Sequence, residues 1–173
     1  MSLALSGDNL ILIGMPAAGK STIGVLLAKR LGYDFMDTDL LIQTGEKARL
    51  EEIIAHIGLE PFCDLEADYI RKVRVRRTVI ATGGSVIYRS SAMRHLQALG
   101  QIIFLDIALP PLVERLNGLD ARGVIYLPGQ TIQMLYTERH PLYQRYAGIT
   151  IDCTQCTPEQ VLQKIAAAGI AHA

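Results

Sequence analysis

"GMPAAGKS", residues 14–21, sets two glycines around four intervening residues and follows the second with a lysine and a hydroxyl side chain, the pattern G-x-x-x-x-G-K-[ST]. The apolar run "NLILI" (9–13) precedes it, and "KSTIGVLLAKRLG" (20–32), apolar at helical spacing, follows it. Strand, glycine turn and helix start therefore meet at one point. Gly14 and Gly19 permit a tight backbone curl whose N–H groups point inward, and the helix beginning at Lys20 adds the positive end of its dipole. Such a curl binds phosphate oxygens. Lys20 can reach the β and γ phosphates of a nucleotide, and the Ser21 hydroxyl can ligate Mg²⁺.

Working outward, short runs rich in Ile, Leu and Val alternate with helical patterns: "YDFMD", a long helical region ending near Arg77, "TVIATGG", "SSAMRHLQALG", "QIIFLDI", "PPLVERLNG", "TIQMLYTERHPLYQRYA", "ITIDC" and "PEQVLQKIAAAGI". Five apolar runs separated by helices predict a five-stranded parallel sheet flanked by helices, a three-layer α/β fold of the P-loop NTPase kind. A length of 173 residues, half of them apolar, suits a single domain over 1–173. The stretch "NGLDARGVIYLPGQ", 117–130, has three glycines and a proline between helices and reads as a mobile lid.

Lys+Arg and Asp+Glu are both 17, so no global field recruits nucleic acid or an anionic membrane, and small-molecule partners are expected. Three cysteines without a charged-then-apolar leader suit a reducing, cytoplasmic setting, and no apolar run approaches the roughly 18–20 residues of a membrane span.

Asp37 and Asp39, in "DFMDTDLL", are two like charges two positions apart. With "DFMD" as the strand beside the phosphate-loop strand, both emerge at the carboxyl edge of the sheet, where open α/β folds bind ligands. Repulsion between them makes sense beside a cation: Asp37 would hold Mg²⁺, and Asp39 would orient or deprotonate an attacking hydroxyl. The plainer alternative is that Asp39 caps the helix "LLIQTG". No "NKxD" is present, which excludes a base-reading GTPase, and Asp106 is read as a turn-initiating residue. "RKVRVRR" (71–77) is read as the basic end of a helix with an acidic start. Cys153 and Cys156 form one C-x-x-C, too few ligands for a structural zinc, and the four histidines have no metal-ligand spacing.

The chain resembles the shikimate kinase family across nearly its whole length, in "GMPAAGKST", "DTD", "EPFCDLE", "ATGG", an Arg-containing lid and "RHPLYQRYA". The resemblance implies an ATP- and Mg²⁺-dependent cytoplasmic kinase, expected to be a monomer, that phosphorylates a hydroxyl of a small cyclic polyhydroxy acid. It implies that Gly14, Ala17, Ala18, Gly19, Lys20, Ser21 and Thr22 hold the ATP phosphates. Arg115 and Cys156 would border adenine, Thr157 and Pro158 would begin the helix that follows, and Arg122 in the lid would neutralise phosphoryl charge. Ser21 and Asp37 would serve the metal. Asp39, Cys63, Glu66, Gly83, Gly84 and Arg139 would form the acceptor site, with Arg139 on the acceptor carboxylate.

Three departures mark that acceptor site. The family's "F-R-x-x-E" reads Phe62-Cys63-Asp64-Leu65-Glu66, its "GGG" reads Gly83-Gly84-Ser85, and its "R-P-L-L" reads Arg122-Gly123-Val124-Ile125. Losing one charge-assisted hydrogen bond weakens carboxylate binding by about 10 to 150-fold. Lys47 and Arg49 are candidate replacement cations. Two alternatives stay open: a kinase of another small acceptor such as a sugar acid, gluconate-type, and a nucleotide-binding module with weak catalysis.

Overall fold

The computed structural model describes residues 8–118 and 129–170. The buried run Asn9–Ile13 forms β1, and the turn after it opens α1 (Lys20–Leu31), which Gly32 closes in the left-handed conformation by donating to Ala28 O. β2 (Asp34–Asp37) passes without a gap into α2 (Thr38–Glu46); α3 (Leu50–Ile57) and α4 (Leu59–Lys72) follow. Next come β3 (Thr78–Ala81), a 3₁₀ turn (Val86–Tyr88), α5 (Ser90–Leu99), β4 (Gly100–Asp106) and α6 (Leu109–Gly118). The described chain ends with α7 (Ile132–Tyr146), β5 (Ile149–Asp152), α8 (Pro158–Ile165) and a π turn (Ala166–Ile170).

All five strands are parallel, in the order β2-β3-β1-β4-β5, with Leu10 beside Val79 and Ile11 beside Ile102. The expected three-layer α/β architecture is what forms. One expectation is corrected: β2 does not lie beside β1, because β3 sits between them. Asn9 ties the start of the sheet together: its Nδ2 donates to Val75 O and Leu99 O, and its Oδ1 accepts from Thr78 N. Helical structure also stops earlier than expected, at Lys72 rather than near Arg77. Only Arg71 and Lys72 of the basic run lie in the last turn of α4; Arg77 lies well beyond the helix, at φ 51°, with its guanidinium over the Tyr33 ring.

Two apolar clusters result. The larger spans both faces of the sheet, and the smaller consists of Ile42, Ile53, Ile54 and Phe62 from α2, α3 and α4. That smaller cluster carries one wall of the site. No helix among the described residues is long and apolar enough to cross a membrane.

Candidate active site

At the carboxyl edge of β1 the chain curls through Gly14–Gly19 with Gly14 at φ 148°, Ala17 at φ 61° and Gly19 at φ 97°. Gly14 is required there twice over: its φ suits glycine, and an added Cβ would meet Leu105 O at 2.7 Å. Lys20 folds back into this curl, its Nζ donating to Gly14 O at 2.9 Å and Met15 O at 2.8 Å. Burial lowers its pKa to about 8, against the pull of Asp39 and Asp37.

Asp37 does two things. Its Oδ1 accepts from the N–H groups of Asp39 and Leu40, capping α2, and its Oδ2 accepts from Ser21 Oγ at 2.7 Å. The helix starts at once after β2, so Asp37 is the cap and Asp39 sits in the first turn, not on an extended strand and not as the cap. A hydroxyl and a carboxylate oxygen meeting beside a phosphate-binding curl are hard-oxygen donors of the kind Mg²⁺ takes, with its remaining positions filled by water and phosphate. No cluster of three or more His, Cys, Asp or Glu among the described residues could hold a metal without such help.

Beside this half lies a narrow cleft lined by Pro16, Asp39, Leu50, Phe62, Gly84 and Arg139, among others. Arg139 is only 4 % exposed, its guanidinium lies 5.0 Å from the Tyr88 ring centre, and its Nε donates to Tyr88 Oη at 2.9 Å. Tyr88 in turn donates to Glu138, and Tyr143 Oη donates to Gly84 O at 2.6 Å. Gly83 donates its N–H to Thr38 Oγ1, and a Cβ on it would meet Glu66 Oε1 at 2.5 Å and Asp39 Oδ1 at 2.6 Å. The two carboxylates thus converge on the bare face of Gly83. Burial, reinforced by Asp37, raises Asp39 to about 6, and burial raises Glu66 to about 7 against a hydrogen bond from Ser85.

A second cleft, on the far side of the phosphate curl, is bounded by Gly19, Thr22, Arg115, Cys153, Cys156 and Pro158. Arg115 Nη1 reaches Ala18 O at 3.5 Å, and Thr157 caps α8 with Pro158 at its start. The glycine curl therefore borders both clefts, with Pro16 lining the first and Gly19 the second.

Several expected residues fall elsewhere. Cys63 is buried, does not line the acceptor cleft, and has its thiol raised to about 11 by burial. Lys47 ends α2, and Arg49 precedes α3, 74 % exposed and paired with Glu51, so neither lines the cleft. Arg122, with residues 119–128 of the expected lid over 117–130, lies outside the described residues. Asp106 pairs with His140 Nε2 at 3.0 Å; it ends β4 rather than supplying a charge to the clefts. Thr38, Tyr88 and Tyr143 were not foreseen, since their roles depend on partners 45 to 59 positions away in sequence.

Were Asp39 to take a proton from an attacking hydroxyl and Lys20 to hold phosphate oxygens, as expected from the sequence, the activity–pH profile would follow from these two perturbed groups. Asp39 carries its charge only above about 6, and Lys20 loses its own above about 8. We expect kcat/KM of the free enzyme to rise through the first value and fall through the second, measured at constant ionic strength. A profile flat from pH 5 to 9 would remove both groups from the reaction.

Fold and site together define a P-loop phosphotransferase. The sequence profile described as "Shikimate kinase" matches residues 16–168. The shikimate kinase of Synechococcus elongatus is 37% identical over 166 residues, 94% of this chain and 86% of that protein, and the one from Thermodesulfovibrio yellowstonii is 36% identical over 160 residues, 91% and 92% of the two chains. The solved shikimate kinase from Acinetobacter baumannii in complex with shikimate superposes with a TM-score of 0.86 at 27% identity, covering 95% of this chain and 94% of that one. The chain belongs to the shikimate kinase family. A gluconokinase from Sinorhizobium meliloti, at 17% identity and a TM-score of 0.53, shares the fold alone.

Proposed function

We propose that the protein transfers the γ-phosphoryl group of ATP to a hydroxyl of shikimate, with Mg²⁺ held at Ser21 and Asp37. One observation carries this reading: the Lys20 curl, the Ser21–Asp37 pair and Asp39 meet at a single edge, beside a cleft that contains the buried Arg139. The backbone of Gly14–Gly19 would cradle the phosphates, and Lys20 would exchange its carbonyl partners for β and γ oxygens. Mg²⁺, when bound, neutralises charge on those oxygens. Asp39 would accept a hydrogen bond from the attacking hydroxyl and take its proton, which a carboxylate titrating near 6 does at neutral pH. Arg139, fixed against Tyr88, would face the acceptor's carboxylate.

The absence of a cation at position 63 favours one alternative acceptor class, another small polyhydroxy acid, on the same machinery. ADP release from the purified chain, measured with shikimate and with a panel of sugar acids and with Asp39→Asn as control, separates the two. Turnover confined to a sugar acid would displace shikimate; ATP binding without turnover on any acceptor would overturn the kinase reading.

A further inference from the structure

Cys153 and Cys156 both line the second cleft, the one beside Gly19 and Arg115. They are the two ends of one tight turn: Cys156 N donates to Cys153 O at 3.2 Å, and Gln155 takes the left-handed φ of 54° that closes it. Turn ends joined in this way hold their Cα atoms less than about 7 Å apart, and a disulfide spans about 4.4–6.8 Å. Neighbours clamp the turn. Cys153 N donates to Asp106 O, Asp152 Oδ1 accepts from Thr154 N, and Thr154 Oγ1 accepts from Ala108 N. A cross-link between the two sulfurs therefore needs side-chain rotation and little backbone movement.

The two thiols are not alike. Cys153 is 1 % exposed, donates to Ile151 O at 3.3 Å and is pushed up to about 12, first by burial and then by the neighbouring Cys156. Cys156 is half-buried and also borders a shallow depression on its other side, lined by Gln160 and Lys164. Lys164 Nζ lies 3.2 Å from Cys156 Sγ and donates to Asp152 O at 2.6 Å, which anchors the cation against the sulfur. A cation so placed pairs with the charged form of a sulfur, the form that attacks an electrophile. Cys63 is buried on α4 and lines neither cleft.

We propose that Cys153 and Cys156 are a redox-modification site at the nucleotide cleft, which a hydroperoxide closes to a disulfide and thereby bars MgATP. The Cys156 thiolate attacks one oxygen of hydrogen peroxide; the O–O bond breaks, the sulfur is oxidised to a sulfenic acid, and hydroxide leaves and takes a proton from solvent. Cys153 sulfur then attacks the sulfenic sulfur: the S–S bond forms, the S–O bond breaks, and the hydroxyl departs with the thiol proton as water. By that step Cys156 no longer carries the charge that helped keep Cys153 protonated. Both sulfurs belong to the wall of the cleft, so joining them reshapes the surface that a base would touch, and base and cross-link compete. This rests on reading that cleft as the seat of the nucleotide base.

The test exposes the reduced, purified chain to hydrogen peroxide with and without MgATP. Intact mass should fall by about 2 Da for the two hydrogens lost, peptide mapping should place the link between 153 and 156, and dithiothreitol should reverse it. Calorimetry should find MgATP bound about 5 to 150-fold more weakly by the oxidised chain, and by reciprocity saturating MgATP should slow the oxidation. Cys153→Ser should stop at a sulfenic acid on Cys156 that dimedone traps, and in Cys156→Ser the Cys153 thiol should stay reduced. Peroxide that leaves 153 and 156 unlinked in wild type overturns the proposal without any variant, should either substitution fail to fold. A link that leaves MgATP affinity unchanged overturns it too. Reduced protein that binds no MgATP fails the reading beneath, and the proposal falls with it.

Discussion

Lys20→Met is expected to lower kcat by about a thousandfold and to weaken MgATP binding, while leaving the protein folded. The ammonium lies inside the curl of Gly14–Gly19, 2.8–2.9 Å from two loop carbonyls, where a donor aimed at developing charge acts in a dehydrated setting. Removing one such donor typically costs about 10²–10³ in rate, and the P-loop lysine also contributes to ground-state binding. Folding is another matter. Burial pushes Lys20 down to about 8, so the folded site holds the charge less readily than water does, and an uncharged side chain of similar length removes that penalty. Single-turnover kinetics, calorimetry with MgATP and a thermal melt separate these effects. A variant retaining more than a tenth of wild-type kcat would remove Lys20 from the chemistry.

Asp39→Asn should cost about 10²–10⁴ in kcat, the range for loss of a general base, with the KM for MgATP little changed. It should also make the protein more stable at neutral pH. The sign follows from the raised pKa: Asp39 binds its proton more tightly folded, at about 6, than unfolded, at 3.8, so stability falls as pH climbs between those values and stays lower above them. Asparagine does not titrate and escapes that loss, a gain on the order of 1–3 kcal/mol above pH 6. A melt at pH 5 and at pH 7.5 tests it: the difference between variant and wild type should widen at the higher pH. An equally inactive variant that melts below wild type at pH 7.5 would make Asp39 a structural residue instead.

The phosphate curl was legible because its determinants are contiguous: glycine spacing, a preceding apolar strand and a following helix all lie within residues 9–32. Sheet order was not, since "TVIA" and "DFMD" are both short runs and nothing local says which lies beside β1. Hydrogen bonds decided it, through the pairing of β1 with β3 and of β3 with β2. The aspartate pair was found by charge, yet its geometry was missed. Spacing and charge did not reveal that Thr38 already turns helical, which makes Asp37, rather than Asp39, the cap and also the partner of Ser21. The acceptor half was the hardest to read. Resemblance marked Glu66, Gly83 and Arg139, but the contacts that fix them, Ser85 on Glu66 and Tyr88 beneath Arg139, join segments 19 and 51 residues apart. Residue type alone gives no sign of such partnerships.

The division of the interior into a large cluster and a small one means that the two halves of the site rest on foundations of unequal strength. β1 is the middle strand, bonded on both sides, whereas the wall formed by α2, α3 and α4 is held by four buried side chains of its own. Amide deuterium uptake should therefore be slowest in Leu10–Leu12 and faster in Ile53–Ile54, and saturating acceptor should slow the latter selectively. The nucleotide half would be a fixed anvil, and the acceptor half a leaf that the second substrate presses shut.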